Sequence, residues 1–222
     1  MKIRYCLPVL KKSKKEVIQC IEENSNNYDY FEVWLDYITD IDNIFVKEIV
    51  NKYENNLICL FQRGNKKIPG INNAKKLQII ELLQNTACYI DLDISEINEL
   101  DYIQKKNIAV KKIISYHNYQ ETPNNLPEIV KQIQEFKPDI YKIATFCNTP
   151  TDALKLLLLQ QNLQLQNKHH IILGMGKFGT ITRVYGTLWG NELIYAPLSV
   201  KEVSAPGQLQ KKELEEIFKI LQ

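Results

Sequence analysis

The chain has 222 residues, 45% of them hydrophobic and 24% charged, and its 28 Lys and Arg against 26 Asp and Glu give a formal net charge of +2. That length can bury a full core, and the proportions exclude the disordered and fibrous classes. Near-balanced charge gives no case for a nucleic-acid partner, and no apolar stretch reaches membrane-span length or forms a signal-peptide pattern, so the expectation is a cytoplasmic protein with neither nucleic-acid nor membrane partners.

Short β-rich runs alternate with amphipathic helical patterns along the whole chain. Residues 3–8 form the first strand candidate, and Lys11, Lys12, Lys14 and Lys15 read as the solvated start of a helix over 14–23. In the second strand, residues 30–36, Phe31, Val33 and Leu35 share one face and Tyr30, Glu32, Trp34 and Asp36 the other. Helix 42–53, strand 57–61, helix 74–84, strand 88–92 and helix 95–105 follow. Strand 112–117 places Ile113, Ser115 and His117 on one face; after helix 126–136, strand 140–144 does the same with Ile140, Lys142 and Ala144. Helix 152–160, strand 170–174, strand 193–196 and helix 211–221 complete the series. Eight such units without a linker or composition break predict a single-domain (β/α)8 TIM barrel over residues 1–222. An open doubly wound sheet is the alternative.

On a barrel, the polar residues within strands become interpretable. Lys142 and His117 would project from consecutive parallel strands, roughly 5 Å apart, into one mouth. Apolar surroundings disfavour an ammonium and favour the free amine that attacks carbonyls, so the pair suggests Schiff-base chemistry. The plainer possibility is a lysine that snorkels to the strand end beside a histidine in a turn.

Cys6, Cys20, Cys59, Cys88 and Cys147 show no C-x-x-C spacing and read as reduced core residues. His169 and His170 have no cysteine or carboxylate at ligand spacing, so no structural metal is expected. Gly174-Met-Gly-Lys-Phe-Gly179 matches G-x-G-x-x-G but falls late, with no acidic residue ending the next strand. It reads instead as a loop over the mouth that opens a helix, with Arg183 free to clamp a carboxylate. Ser204-Ala-Pro-Gly-Gln208 has the turn chemistry of a connection or a closing loop.

Four segments together, Ser115-Tyr-His-Asn118, Lys142-Ile-Ala144, Met175-Gly-Lys-Phe-Gly-Thr-Ile-Thr-Arg183 and Ser204-Ala-Pro-Gly-Gln208, resemble in order and spacing the type I 3-dehydroquinate dehydratases of the shikimate pathway. The resemblance implies that Lys142 forms a Schiff base with the C3 ketone of 3-dehydroquinate and that His117 is the general acid/base of a syn loss of water. It further implies that Arg183 pairs with the substrate carboxylate, Glu32 and Arg63 hold ring hydroxyls, and Ser204 and Gln208 close over the site. No metal or organic cofactor is required, and a homodimer is implied.

Two positions depart from the family pattern. Trp34 stands where Glu32-x-Arg would place a cation, and Lys67 stands four residues after Arg63, where a glutamate usually orients the histidine. Either another carboxylate serves, or His117 is less well oriented and harder to protonate beside a like charge. Another Schiff-base barrel, such as a class I aldolase on a phosphorylated sugar, and a barrel that has lost activity are the competing readings.

Overall fold

Four helices start where a polar side chain satisfies free N–H groups: Ser13, Asp42, Asn72 and Thr149 each accept from a backbone N–H of the first turn. Ser13 caps α1 (Lys14–Asn24) in a reciprocal capping box with Glu16, and the helix buries Val17, Cys20 and Ile21 at helical spacing. Thr149 and Asp152 form the same box at α6 (Pro150–Leu165), where Pro150 needs no partner for its nitrogen. Asn107, in the left-handed conformation at φ 49°, ends α4 (Ile97–Lys106). The remaining helices are α2 (Asn43–Tyr53), α3 (Asn73–Leu82), α5 (Leu126–Glu135), α7 (Gly176–Leu188) and α8 (Lys211–Leu221). The computed structural model describes residues 2–61 and 71–221.

Between the helices run β1 (Tyr5–Val9), β2 (Tyr30–Trp34), β3 (Leu57–Leu60), β4 (Tyr89–Asp93), β5 (Lys111–Asn118), β6 (Ile140–Phe146), β7 (His170–Met175) and β8 (Ile194–Tyr195). They form one parallel sheet in the order β7-β6-β5-β4-β3-β2-β1-β8. The ends of that order meet, so the sheet curls into a nearly closed (β/α)8 barrel, as expected, rather than an open sheet. At the meeting seam a side chain and one backbone bond stand in for a strand ladder. Asn191 accepts from the Ile172 N–H at 2.8 Å and donates to the Ile172 carbonyl at 3.0 Å, while the Glu192 N–H reaches the His170 carbonyl at 2.9 Å.

Strand alternation separates two apolar regions. Outward residues such as Leu7, Val33, Ile90 and Ile143 pack with Ile21, Ile49, Ile80 and Leu156 of the helices. Inward residues Cys6, Ile58, Ile113, Ile140, Ile171 and Leu193 make a smaller cluster inside the barrel, with Tyr30 and Tyr89 against it. Each buried Ile or Leu contributes about 1.5–3 kcal/mol relative to exposure. All five cysteines are free and buried, in keeping with their reading as reduced core residues.

Most boundaries shift by a few residues from the pattern reading, and three differences bear on the site and the barrel. The second strand stops at Trp34 because Leu35–Tyr37 tightens into a 3-10 turn, which removes Asp36 from the inward set. The Gly174–Arg183 segment is not a loop: Met175 is the N-cap and α7 begins at Gly176. Glycine permits this, since a Cβ on Gly179 would lie 2.3 Å from the Gly174 carbonyl carbon, and Gly176 has φ +76°. Finally, β8 pairs over only two residues.

Candidate active site

At the C-terminal ends of the strands a cleft of about 410 Å³ is lined by Glu32, His117, Lys142, Arg183, Ser204 and Gln208, together with Trp34, Tyr119 and Tyr195. The structure thus brings six of the seven predicted site residues to one place, where barrel active sites are built. Arg63, the seventh, lies outside the described residues, as does Lys67.

The floor belongs to Lys142, only 4% exposed. Its neighbours in sequence are apolar, but alternation turns them outward, and the amine instead enters a polar nest. Nζ lies 2.6 Å from Asp91 Oδ2, 3.0 Å from Glu32 Oε1 and 2.8 Å from the Tyr195 hydroxyl, with the Tyr195 ring centroid at 4.5 Å. The ion pairs hold a resting ammonium, which corrects the expectation of an apolar setting. Ser115 Oγ donates to the other Asp91 oxygen at 2.6 Å. Burial, then the charges of Glu32, Cys6 and Asp91, push the Tyr195 phenol up, so it stays protonated beside the lysine. The second Glu32 oxygen accepts from Trp34 Nε1 at 3.3 Å, so the indole that replaces the family's usual cation fixes the carboxylate.

His117 sits above this layer. The β5–β6 register pairs Ser115 with Lys142 and His117 with Ala144, so the imidazole enters the mouth one pleat higher than the amine. Its Nδ1 is 2.9 Å from Asp93 Oδ2, and the Tyr119 ring stacks alongside with centroids 6.1 Å apart. Burial alone would raise the Asp93 carboxyl, but the hydrogen bond and charge of His117 and the bonds from Ser95 leave it below the usual carboxylate range.

Arg183 projects from α7 and is 1% exposed. Nη2 reaches the Pro206 carbonyl at 3.4 Å, while Nε and Nη1 have no partner among the described residues. Burial lowers this guanidinium to about 10, with Tyr195 and Cys147 opposing, so it is still a cation near neutral pH. Such a buried, half-satisfied fork is suited to a carboxylate. Ser204 and Gln208 brace each other across the turn above: Gln208 Oε1 accepts from the Ser204 N–H and Gln208 Nε2 donates to Ser204 Oγ, both at 2.9 Å. Gly207 makes that turn at φ +82°.

Asp91, Asp93 and Tyr195 are not among the predicted site residues. Alternation along Tyr89-Ile-Asp-Leu-Asp93 places both aspartates inward, and that signal is present in the sequence.

Residues 5–222 match the family model described as Type I 3-dehydroquinase. This chain belongs to the type I 3-dehydroquinase family. Among curated relatives, the 3-dehydroquinate dehydratase of Methanococcus maripaludis is 29% identical over 97% of this chain and 99% of its own. That of Coxiella burnetii is 29% identical over 97% and 92%. The crystal structure of the Geobacillus kaustophilus 3-dehydroquinate dehydratase superposes with a TM-score of 0.84 at 23% identity, covering 100% of this chain and 91% of that one, and bears on the fold alone. The type I enzyme of Clostridium difficile, described with covalent modified comenic acid, gives 0.76 at 26% identity, covering 99% and 92%. Within the family frame, Trp34 is accommodated by its bond to Glu32.

Proposed function

We propose that this chain dehydrates 3-dehydroquinate to 3-dehydroshikimate, a hydro-lyase step of the shikimate pathway toward chorismate and the aromatic amino acids. One observation carries the reading: a buried lysine amine on the floor of a cleft whose walls hold an imidazole and a half-satisfied arginine. Attack on the C3 ketone needs the free amine, and Asp91 Oδ2, 2.6 Å from Nζ, is placed to take its proton. Loss of the ketone oxygen as water gives an iminium on Lys142, which serves as the electron sink. His117 then removes a C2 proton, the C–H electrons form a C2–C3 enamine and neutralise the iminium nitrogen, and the enamine collapses to form the C1–C2 double bond and restore the iminium while the C1 hydroxyl leaves as water with the proton that His117 returns. Hydrolysis of the imine frees the product and the lysine.

Arg183 binds the substrate carboxylate, Glu32 and Arg63 address ring hydroxyls, and Ser204 and Gln208 cover the bound ring. Glu32 also pairs with the resting lysine, so it gains freedom to meet a hydroxyl once the amine becomes neutral. The chain acts in the cytoplasm, where its five buried thiols stay reduced; no helix among the described residues is long and apolar enough to cross a membrane. It acts as a homodimer. Exposed Leu154 and Leu158 of α6 and Ile181 and Trp189 of the adjoining α7 support that state, which light scattering on the purified protein tests.

The deciding experiment follows the ultraviolet absorbance of the conjugated enone during incubation with 3-dehydroquinate, then adds borohydride. The expected result is turnover, plus one reduced adduct that peptide mapping assigns to Lys142. An adduct on another lysine would overturn the role of Lys142 as the amine that attacks the ketone. Turnover with no trappable adduct, where a control Schiff-base enzyme is trapped, would overturn the mechanism.

A further inference from the structure

The last residue of β4 lies against the imidazole of His117 in a geometry fixed independently of any substrate. Asp93 follows Asp91 by two residues on the same inward face, and the β4–β5 register pairs it with Ser115, directly below His117 along β5. Its Oδ1 accepts the Ser95 N–H at 3.0 Å and the Ser95 hydroxyl at 2.7 Å, a side-chain turn that leaves Oδ2 facing Nδ1 of His117 at 2.9 Å. The turn is held from outside as well: the Asp93 N–H donates to Glu96 Oε2 at 2.8 Å and the Ile94 N–H to the Ser115 carbonyl at 2.8 Å. Both side chains are buried, at 9% and 8% exposure, so little water competes for the contact.

We propose that Asp93 is the positioning residue for His117, and that it holds the Nδ1–H tautomer so that the Nε2 lone pair faces the cleft. The proposal deepens the dehydratase reading, since it concerns the proton carrier of that reaction. It also selects between the two outcomes left open by Lys67: another carboxylate orients the histidine, supplied by β4. The ionised carboxylate does two things. It fixes the ring plane and tautomer before the C2 proton is taken, and it stabilises the imidazolium while His117 carries that proton. β4 therefore divides its two aspartates between the reacting groups, Asp91 on the lysine and Asp93 on the imidazole.

The test uses Asp93→Asn, which keeps shape and removes charge, with Ser95→Ala as a milder variant that loosens the carboxylate. Asp93→Asn is expected to lower kcat on the order of 10²-fold or more, with KM within about threefold. The acid limb of its kcat/KM profile should move to lower pH, because an imidazole without its carboxylate is protonated less readily. Borohydride should still trap the Lys142 adduct, which separates an effect on His117 from one on the lysine. Ser95→Ala should shift kcat and the profile in the same direction by less. Nitrogen-15 spectra of histidine-labelled protein read the tautomer directly: a proton on Nδ1 of His117 in the wild type, lost or redistributed in Asp93→Asn. Wild-type kcat with an unmoved profile in folded Asp93→Asn would overturn the assignment, as would loss of trapping in that variant or a wild-type His117 protonated on Nε2. The tautomer is read without turnover, so it decides on Asp93 even where no dehydration occurs, a failure that would count against the proposed function instead.

Discussion

Asn191→Ala tests the barrel seam most directly. The wild-type amide satisfies both backbone groups of Ile172, at 2.8 Å and 3.0 Å, and Ile172 is 1% exposed, so water does not replace the lost partner. A buried polar group left unpaired costs roughly 1–3 kcal/mol, so two should cost about 2–6 kcal/mol. That is a large fraction of the ~5–15 kcal/mol by which a typical domain is stable. The expected result is a lower urea midpoint with unchanged slope, together with faster hydrogen exchange at the Ile172 amide. Asn191→Asp should recover part of the loss, because one oxygen still accepts the N–H while the other opposes the carbonyl. The damage should also reach the site, since β7 leads straight into α7 and Arg183. Stability within about 0.5 kcal/mol of the wild type, or unchanged exchange at Ile172, would refute the idea that this side chain closes the barrel.

Three further outcomes follow from the site and its surroundings. Arg183→Lys should raise KM for 3-dehydroquinate roughly tenfold or more through loss of the fork, whereas Arg183→Met should abolish binding yet raise Tm by about 2–4 °C, the equivalent of ~1 kcal/mol, because a buried cation with two nitrogens unpaired among the described residues is removed; a lower Tm in Arg183→Met would show that the guanidinium is stabilising. Lys142→Met should lose activity and adduct and leave Glu32 and Asp91 buried without their cation, so one of them should take up a proton on folding and the variant should be less stable at pH 8 than at pH 5, a trend that thermal melts would expose or deny. His170 is buried and pushed below its ordinary value of 6.5, mainly by desolvation, against the hydrogen bond to Lys168. The unfolded chain then binds its proton first, so this contribution to stability is full above about 6.5 and declines as pH falls, and His170→Phe should flatten the drop in Tm between pH 7.5 and 5.5, whereas an identical drop would contradict this.

The barrel is legible in the sequence because short β-rich runs alternate with amphipathic helical patterns along the whole chain, each run long enough to show which residues share a face. Lys142 and His117 stand out as polar residues within apolar runs, and the register between β5 and β6 explains their neighbourhood. The setting of Lys142 is not legible, because adjacent residues in a strand point to opposite faces; what surrounds an inward side chain comes from other strands, here Glu32, Asp91 and Tyr195. Asp93 escapes notice because it ends its strand, where pattern reading is weakest. The start of α7 is obscured by glycines that ordinarily signal a loop but in this chain permit close approach of helix and strand. No local pattern reveals that Asn191 helps stand in for a strand ladder, since its partner lies 19 positions earlier.

The apolar plug beneath Lys142, built from Ile113, Ile140, Ile171 and Leu193, has a consequence for traffic. It closes the floor of the cleft, so in the proposed reaction substrate enters and product departs by one mouth, past the turn of Ser204 and Gln208. The water set free from C1 is then released beneath that same turn, beside the imine it can hydrolyse, so a cover that holds the ring would also keep at hand the molecule that cuts it loose.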